Sequence, residues 1–99
     1  MASMPASSNE DVYVGWGADA VGQPVEIAIV RRTVPEAEPV DADYKDAEWD
    51  GTTGQARLHI GAGSDTPLDA GEYVVWTRLT VGDRRPVRRS GLLVVGTST

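Results

Sequence analysis

An all-β fold is what this sequence predicts, on three observations. Apolar residues recur at every second position in run after run, the repeat of a strand with one buried face. Glycine, proline and aspartate fall between those runs at short intervals, as turns require. No segment of helical length carries an apolar stripe at i, i+3, i+4, i+7. About six or seven short strands divided by turn signals predict an antiparallel β-sandwich or small barrel.

The elements follow in order. Val12, Val14 and Trp16 alternate with Asp11, Tyr13 and Gly15, which predicts a first strand. Val25, Ile27 and Ile29 face one way and Glu26, Ala28 and Val30 the other, so a strand with two largely apolar faces is expected inside a sheet. Ala56, Leu58 and Ile60 alternate with Gln55, Arg57 and His59, giving one buried and one wet face. Tyr73, Val75, Thr77, Leu79 and Val81 form a stripe opposite Glu72, Val74, Trp76, Arg78 and Thr80. The last run, Val87 to Val95, is broken at Ser90-Gly91, where a bulge would switch its parity.

Turns account for the gaps. Gly22-Gln23-Pro24 precedes the second strand, and Asp50-Gly51-Thr52-Thr53-Gly54 reads as a short hairpin loop. Gly61 to Pro67 is a longer connection, and Gly82-Asp83-Arg84-Arg85-Pro86 joins the last two strands as an antiparallel hairpin. The stretch from Pro35 to Tyr44 holds two prolines and several acids, so it is expected to cross between sheets as a loop. A short strand near Tyr44–Trp49 is expected after it.

The 99 residues suffice for one domain with one modest core, burying about 60–65% of the surface that the unfolded chain exposes. The expected division is a flexible arm over residues 1–10, a single domain over 11–96 and a short tail over 97–99. Met1–Glu10 is small and polar, with nothing to bury in return for its ordering entropy. It lacks the basic start and apolar run of a secretory signal, so synthesis in a cytoplasm is expected.

Charge narrows the partners. The formal net charge is −6, which argues against binding nucleic acid by phosphate neutralisation. No apolar stretch approaches the roughly 18–20 residues that span a bilayer, so no membrane partner is expected. Residues 1–50 carry eleven acids and three bases, while residues 51–99 carry four acids and six bases. Seven of the carboxylates lie within Glu36–Asp50, and Arg84, Arg85, Arg88 and Arg89 surround Pro86 and Val87. Such a division suits docking between subunits, the acidic loop of one meeting the arginine hairpin of another. It also suits solvated loops and edges that resist aggregation.

Catalytic material is scarce. Without cysteine there is no thiolate nucleophile, disulfide or cysteine-ligated zinc, and His59 is the single histidine. Asp41, Asp43, Asp46, Glu48 and Asp50 cluster in a loop with no apolar pocket to raise a pKa. Asp41-x-Asp43 with Asp46 can at most hold a divalent ion weakly, because the Asp-x-Asp-x-Asp-Gly core of a calcium loop is missing. No phosphate-binding glycine loop or nucleophile elbow occurs. A non-enzymatic protein with no catalytic residue, cofactor or metal is expected.

The segment Leu68-Asp69-Ala70-Gly71-Glu72-Tyr73 is the most informative. In an Asp-x-Gly-x-Tyr turn, glycine takes the corner and the tyrosine hydroxyl reaches back to the upstream backbone. Asp69, Gly71 and Tyr73 thus resemble the tyrosine corner of immunoglobulin-like domains, although the cysteine pair of antibody domains is absent. The run from that corner through Val74-Val75-Trp76-Thr77-Arg78, Arg85-Pro86-Val87 and Gly91-Leu92-Leu93-Val94-Val95 resembles small immunoglobulin-like domains of tailed-bacteriophage virion proteins. The resemblance covers roughly Trp49 to Val95.

That resemblance implies an immunoglobulin-like antiparallel β-sandwich serving as a structural module of a virion. It would dock on the tail, baseplate or neck, or on the capsid surface as a decoration, after assembly in the host bacterial cytoplasm. Other virion proteins would be its partners, in a homo-oligomer or symmetric assembly, and the sequence leaves tail and head sites open. Trp76 on the outward face and Arg84, Arg85, Arg88 and Arg89 are the expected interface residues. A rival reading uses the three tryptophans and three tyrosines as a sugar-stacking platform, in a carbohydrate-binding or adhesion module.

Overall fold

A computed structural model describes residues 2–5, 8–64 and 66–96. These residues form eight strands: β1 (Ala2–Pro5), β2 (Asn9–Gly15), β3 (Val25–Arg31), β4 (Tyr44–Asp46), β5 (Glu48–Trp49), β6 (Gln55–Gly61), β7 (Gly71–Leu79) and β8 (Val87–Gly96). Five make one sheet in the order β1-β8-β7-β3-β4, and three make the other in the order β2-β6-β5. Every pairing is antiparallel except that of β1 with β8.

Alternation decides what each strand buries. Val25 and Ile27 of β3, Tyr73, Val75 and Leu79 of β7, and Leu93 and Val95 of β8 line the inner face of the larger sheet. Val14 of β2 and Ala56 and Ile60 of β6 come from the smaller one, and all belong to a single apolar cluster. Ile27 and Ile60 are fully buried, so truncating either to alanine costs about 2–5 kcal/mol. The expected bulge lies in β8: Val75 pairs with Gly91 and Trp76 with Arg89, leaving Ser90 without a partner. Parity therefore switches there, and Leu93 and Val95 point inward while Arg88 lies opposite Thr77.

The hairpin loop before β6 touches the end of β2 at Gly54. The Gly54 carbonyl accepts hydrogen bonds from the N–H groups of Trp16 at 2.9 Å and Gly17 at 3.1 Å. Gly54 has φ +81°, and a Cβ there would lie 2.3 Å from the Gly17 carbonyl carbon. Only glycine permits both the left-handed backbone and the close approach.

Two features depart from the sequence reading. Ala2–Pro5, expected within a flexible arm, pairs in parallel with Leu93–Gly96 of β8. Its Met4 side chain is 5% exposed and enters the core. One inserted methionine and a backbone ladder offset the ordering entropy that a polar composition seemed to leave unopposed. Asn9 and Glu10 already belong to β2, residues 1, 6 and 7 of the expected arm lie outside the described residues, and so does the expected tail over 97–99.

The second departure concerns the crossing between sheets. The Pro35–Tyr44 connection does not cross, because β4 pairs with β3 in the same sheet that β3 leaves. The chain changes sheets at Ala47, whose N–H donates to the Val25 carbonyl at 2.9 Å. The strand expected near Tyr44–Trp49 is thus divided, β4 serving one sheet and β5 the other.

Candidate interaction surface

The corner residues meet as their spacing requires. Tyr73, 4% exposed, directs its hydroxyl to the Asp69 carbonyl and donates a 2.7 Å hydrogen bond. The Arg31 guanidinium lies 5.1 Å from the Tyr73 ring centroid and covers the ring.

Register sets out the outer face of the larger sheet. Tyr44, Ala28, Trp76 and Arg89 stand side by side across β4, β3, β7 and β8. Glu26 and Arg78 form the adjoining row. This face is not wet: Ala28 and Val74 are buried, Arg78 is 8% exposed and Tyr44 9%. Ion pairs fasten the connection between β3 and β4 to it, among them Arg32 with Glu72 of β7 at 3.1 Å. Arg89 donates to both carboxylate oxygens of Glu36, at 2.7 and 3.1 Å. Arg78 donates to Asp41 at 2.7 Å and forks onto Glu26 at 3.0 and 3.1 Å. The same guanidinium stacks 4.1 Å from the Tyr44 ring centroid.

These contacts shape the local chemistry. The hydrogen bonds from Arg89 hold the Glu36 carboxyl below its ordinary pKa. Burial pushes the Tyr44 hydroxyl up, against the opposing influence of Arg78. The Tyr44 hydroxyl and the Trp76 indole nitrogen are buried without a hydrogen-bond partner among the described residues.

The expected interface residues separate into two groups. Trp76, expected as an exposed anchor, is half-buried between its neighbours Ala28 and Arg89. Arg89 is held by Glu36, and Arg88 stacks 4.2 Å from the Trp16 ring centroid on the inner side of the sheet. Arg84 and Arg85 remain. They occupy the tip of the β7–β8 hairpin, are exposed, and make no side-chain hydrogen bond or ion pair among the described residues. Val81 and Arg84 close that tip by exchanging backbone hydrogen bonds of 2.9 and 3.0 Å, leaving Val81 43% exposed. The complementarity between acidic segment and arginine hairpin exists, and the chain uses part of it internally. Glu36 is the residue that sequence reasoning missed, since spacing does not reveal which of seven nearby acids finds an arginine 53 positions away.

Most aromatics are committed to the interior. Trp16 donates its indole N–H to Thr77 Oγ1 at 2.9 Å, and Trp49 donates to the Gln23 carbonyl at 2.8 Å. With Tyr44 and Tyr73 buried and Trp76 half-buried, Tyr13 at 47% is the aromatic left exposed. A planar stack for sugar rings needs more than one such face.

A polar depression of about 590 Å³ opens on the other sheet, between Asp11, Arg57, His59 and Ser64 and the Lys45–Glu48 region. His59 Nδ1 lies 3.0 Å from Asp11 Oδ1, joining β2 and β6 across their outer faces. Ser64 donates its hydroxyl to the Gly61 carbonyl at 2.7 Å, so its proton is engaged with backbone and not with the imidazole. The three aspartates considered for an ion have separate tasks. Asp41 accepts from Arg78, Asp43 accepts from the Val40 N–H at 3.1 Å, and Asp46 sits opposite Glu26 in the ladder.

No protein-family model, curated protein or solved structure matches this chain.

Proposed function

We propose that the chain is an immunoglobulin-like β-sandwich acting as a non-enzymatic structural protein of a tailed-bacteriophage virion. In this reading it docks on the tail, baseplate or neck, or on the capsid surface as a decoration, after assembly in the host cytoplasm. The parallel β1–β8 pair, the strand order of the two sheets and the Tyr73–Asp69 corner support the sandwich. The observation that carries the docking role is the hairpin tip. Six of the eight arginines are engaged within the chain, by ion pairs, hydrogen bonds or stacking on aromatic rings. Arg84 and Arg85 are the two without such a partner among the described residues, and they follow the exposed Val81 at the tip of the hairpin.

Arginine forks satisfy carboxylates on a partner and tolerate partial burial. A small tip of this kind binds weakly alone, and repetition over a symmetric particle raises the avidity. The aromatic arrangement gives the carbohydrate-binding alternative no comparable support. The test replaces Arg84 and Arg85 with glutamine, verifies folding by circular dichroism and measures incorporation into particles. Reduced incorporation of the folded variant is expected; full incorporation contradicts the role of the tip.

A further inference from the structure

We propose a second interaction site: the free edge of β2 accepts an extended, basic segment of another protein as a fourth strand of the small sheet. Four strands end the two sheets, and their lengths differ sharply. β1 has four residues, β4 three and β5 two, whereas β2 has seven. Short strands are an ordinary way to blunt a sheet edge. β2 lacks that protection. One of its sides pairs with β6 along its whole length, from Asn9 opposite Gly61 to Gly15 opposite Gln55. Its other side has no ladder partner among the described residues. The backbone donors and acceptors there are available to an added strand.

The surface beside this edge says what kind of strand fits. A cleft of about 270 Å³ runs along β2 where the two sheets part, lined by Met4, Val12, Ile60 and Leu93 on its apolar side and by Glu10. Alternation turns Glu10 and Val12 to the same side of β2 as the buried Val14. Glu10 is exposed and forms no ion pair among the described residues. A carboxylate turned inward at an edge repels indiscriminate apolar strands. The same carboxylate selects one that carries a cation at the facing position.

An apolar side chain opposite Val12 fills the cleft, and a lysine or arginine opposite Glu10 pairs with its carboxylate. In the antiparallel orientation the added strand reads apolar, any residue, then Lys or Arg, from its N-terminus. A second copy of this chain does not meet that requirement through β2. Its own strand offers Glu10 and Asp11 and no base, and each copy carries a net charge of −6. Val87-Arg88-Arg89 of β8 has the required order, but Glu36 already holds Arg89, so the proposed occupant is a basic segment of a different chain, drawn to an acidic surface.

The test uses the whole protein and two blocked nine-residue threonine peptides. Each carries a valine and, two residues later, either lysine or glutamate. Binding is followed by amide chemical shifts and amide exchange. The lysine peptide is expected to slow exchange within Asn9–Gly15 and to bind about tenfold more tightly than its glutamate twin. Glu10→Lys, a change at an exposed side chain, is expected to reverse that preference. Equal affinity for the two peptides, protection confined to strands other than β2, or no binding of either peptide overturns the proposal. None of these outcomes bears on the Arg84–Arg85 tip, so the two sites stand or fall separately.

Discussion

The hydroxyl of Tyr73 donates to the carbonyl of Asp69 at 2.7 Å, tying β7 to the connection that delivers it. The acceptor lies four positions before the donor, so the bond holds a local corner while the ring fills the common core.

Tyr73→Phe is therefore expected to cost about 1 kcal/mol, the net worth of one buried hydrogen bond. Tyr73→Ala is expected to cost about 3–5 kcal/mol through the cavity it leaves. Tyr44→Phe is the contrasting case, because that hydroxyl is buried without a partner among the described residues and its removal relieves an unsatisfied group. Urea melts should show the midpoint falling for the first two variants and holding or rising for the third. An unchanged midpoint for Tyr73→Ala contradicts the corner's role.

The tryptophans give a parallel pair. Trp16 loses a 2.9 Å hydrogen bond to Thr77 when replaced by phenylalanine, and Thr77 keeps only its own bond to the Glu26 carbonyl. The stacking partner of Arg88 is also weakened. Trp76→Phe removes an indole N–H that has no partner among the described residues. Thermal melts are expected to rank Trp16→Phe as the more damaging by about 1 kcal/mol or more.

Two glycines separate backbone strain from collision. At Gly63, φ is +79° and an added Cβ meets nothing within 4 Å, so Gly63→Ala pays only the left-handed penalty of about 1–2 kcal/mol. Gly54→Ala adds a Cβ 2.3 Å from the Gly17 backbone, which is itself hydrogen-bonded to Gly54. Chemical denaturation should show a clearly larger loss for Gly54→Ala.

Glu36 makes stability depend on pH in a definite direction. Its carboxyl is held low by Arg89, so the folded state binds a proton less readily than the unfolded chain. The contribution is present above the unfolded carboxylate range, about pH 4.3, and is lost as pH falls through the lower folded value. Melting temperatures between pH 7 and 3 should show Glu36→Gln below the parent at neutral pH, the gap closing with acid. A gap that persists unchanged to pH 3 contradicts the ion pair.

What the sequence revealed and what it concealed divide along the range of the interactions. The strands expected at Asp11–Trp16, Val25–Val30, Gln55–Ile60 and Glu72–Val81 were legible because alternation is local, although the last ends at Leu79, and so were the bulge at Ser90 and the hairpin turns. The corner was legible because Asp69 and Tyr73 are four residues apart. β1 was not, since its ordering depends on where Met4 lands and on the edge of β8, neither of which leaves a local pattern. Trp76 looked outward by parity, and parity was correct. Alternation carries no information on the connection that Glu36 and Asp41 fasten to that face at Arg89 and Arg78. The same blindness made all four hairpin arginines look available when two are in use.

The proposed virion role is tested most directly by a cryo-EM map of particles purified from cells that carry the gene for this chain. The expected result is two-sheet density for this domain at symmetry-related sites, with the Arg84–Arg85 tip against a neighbouring subunit. Particles that contain no copy of the chain, or that hold it with the tip facing solvent at every site, would contradict the account.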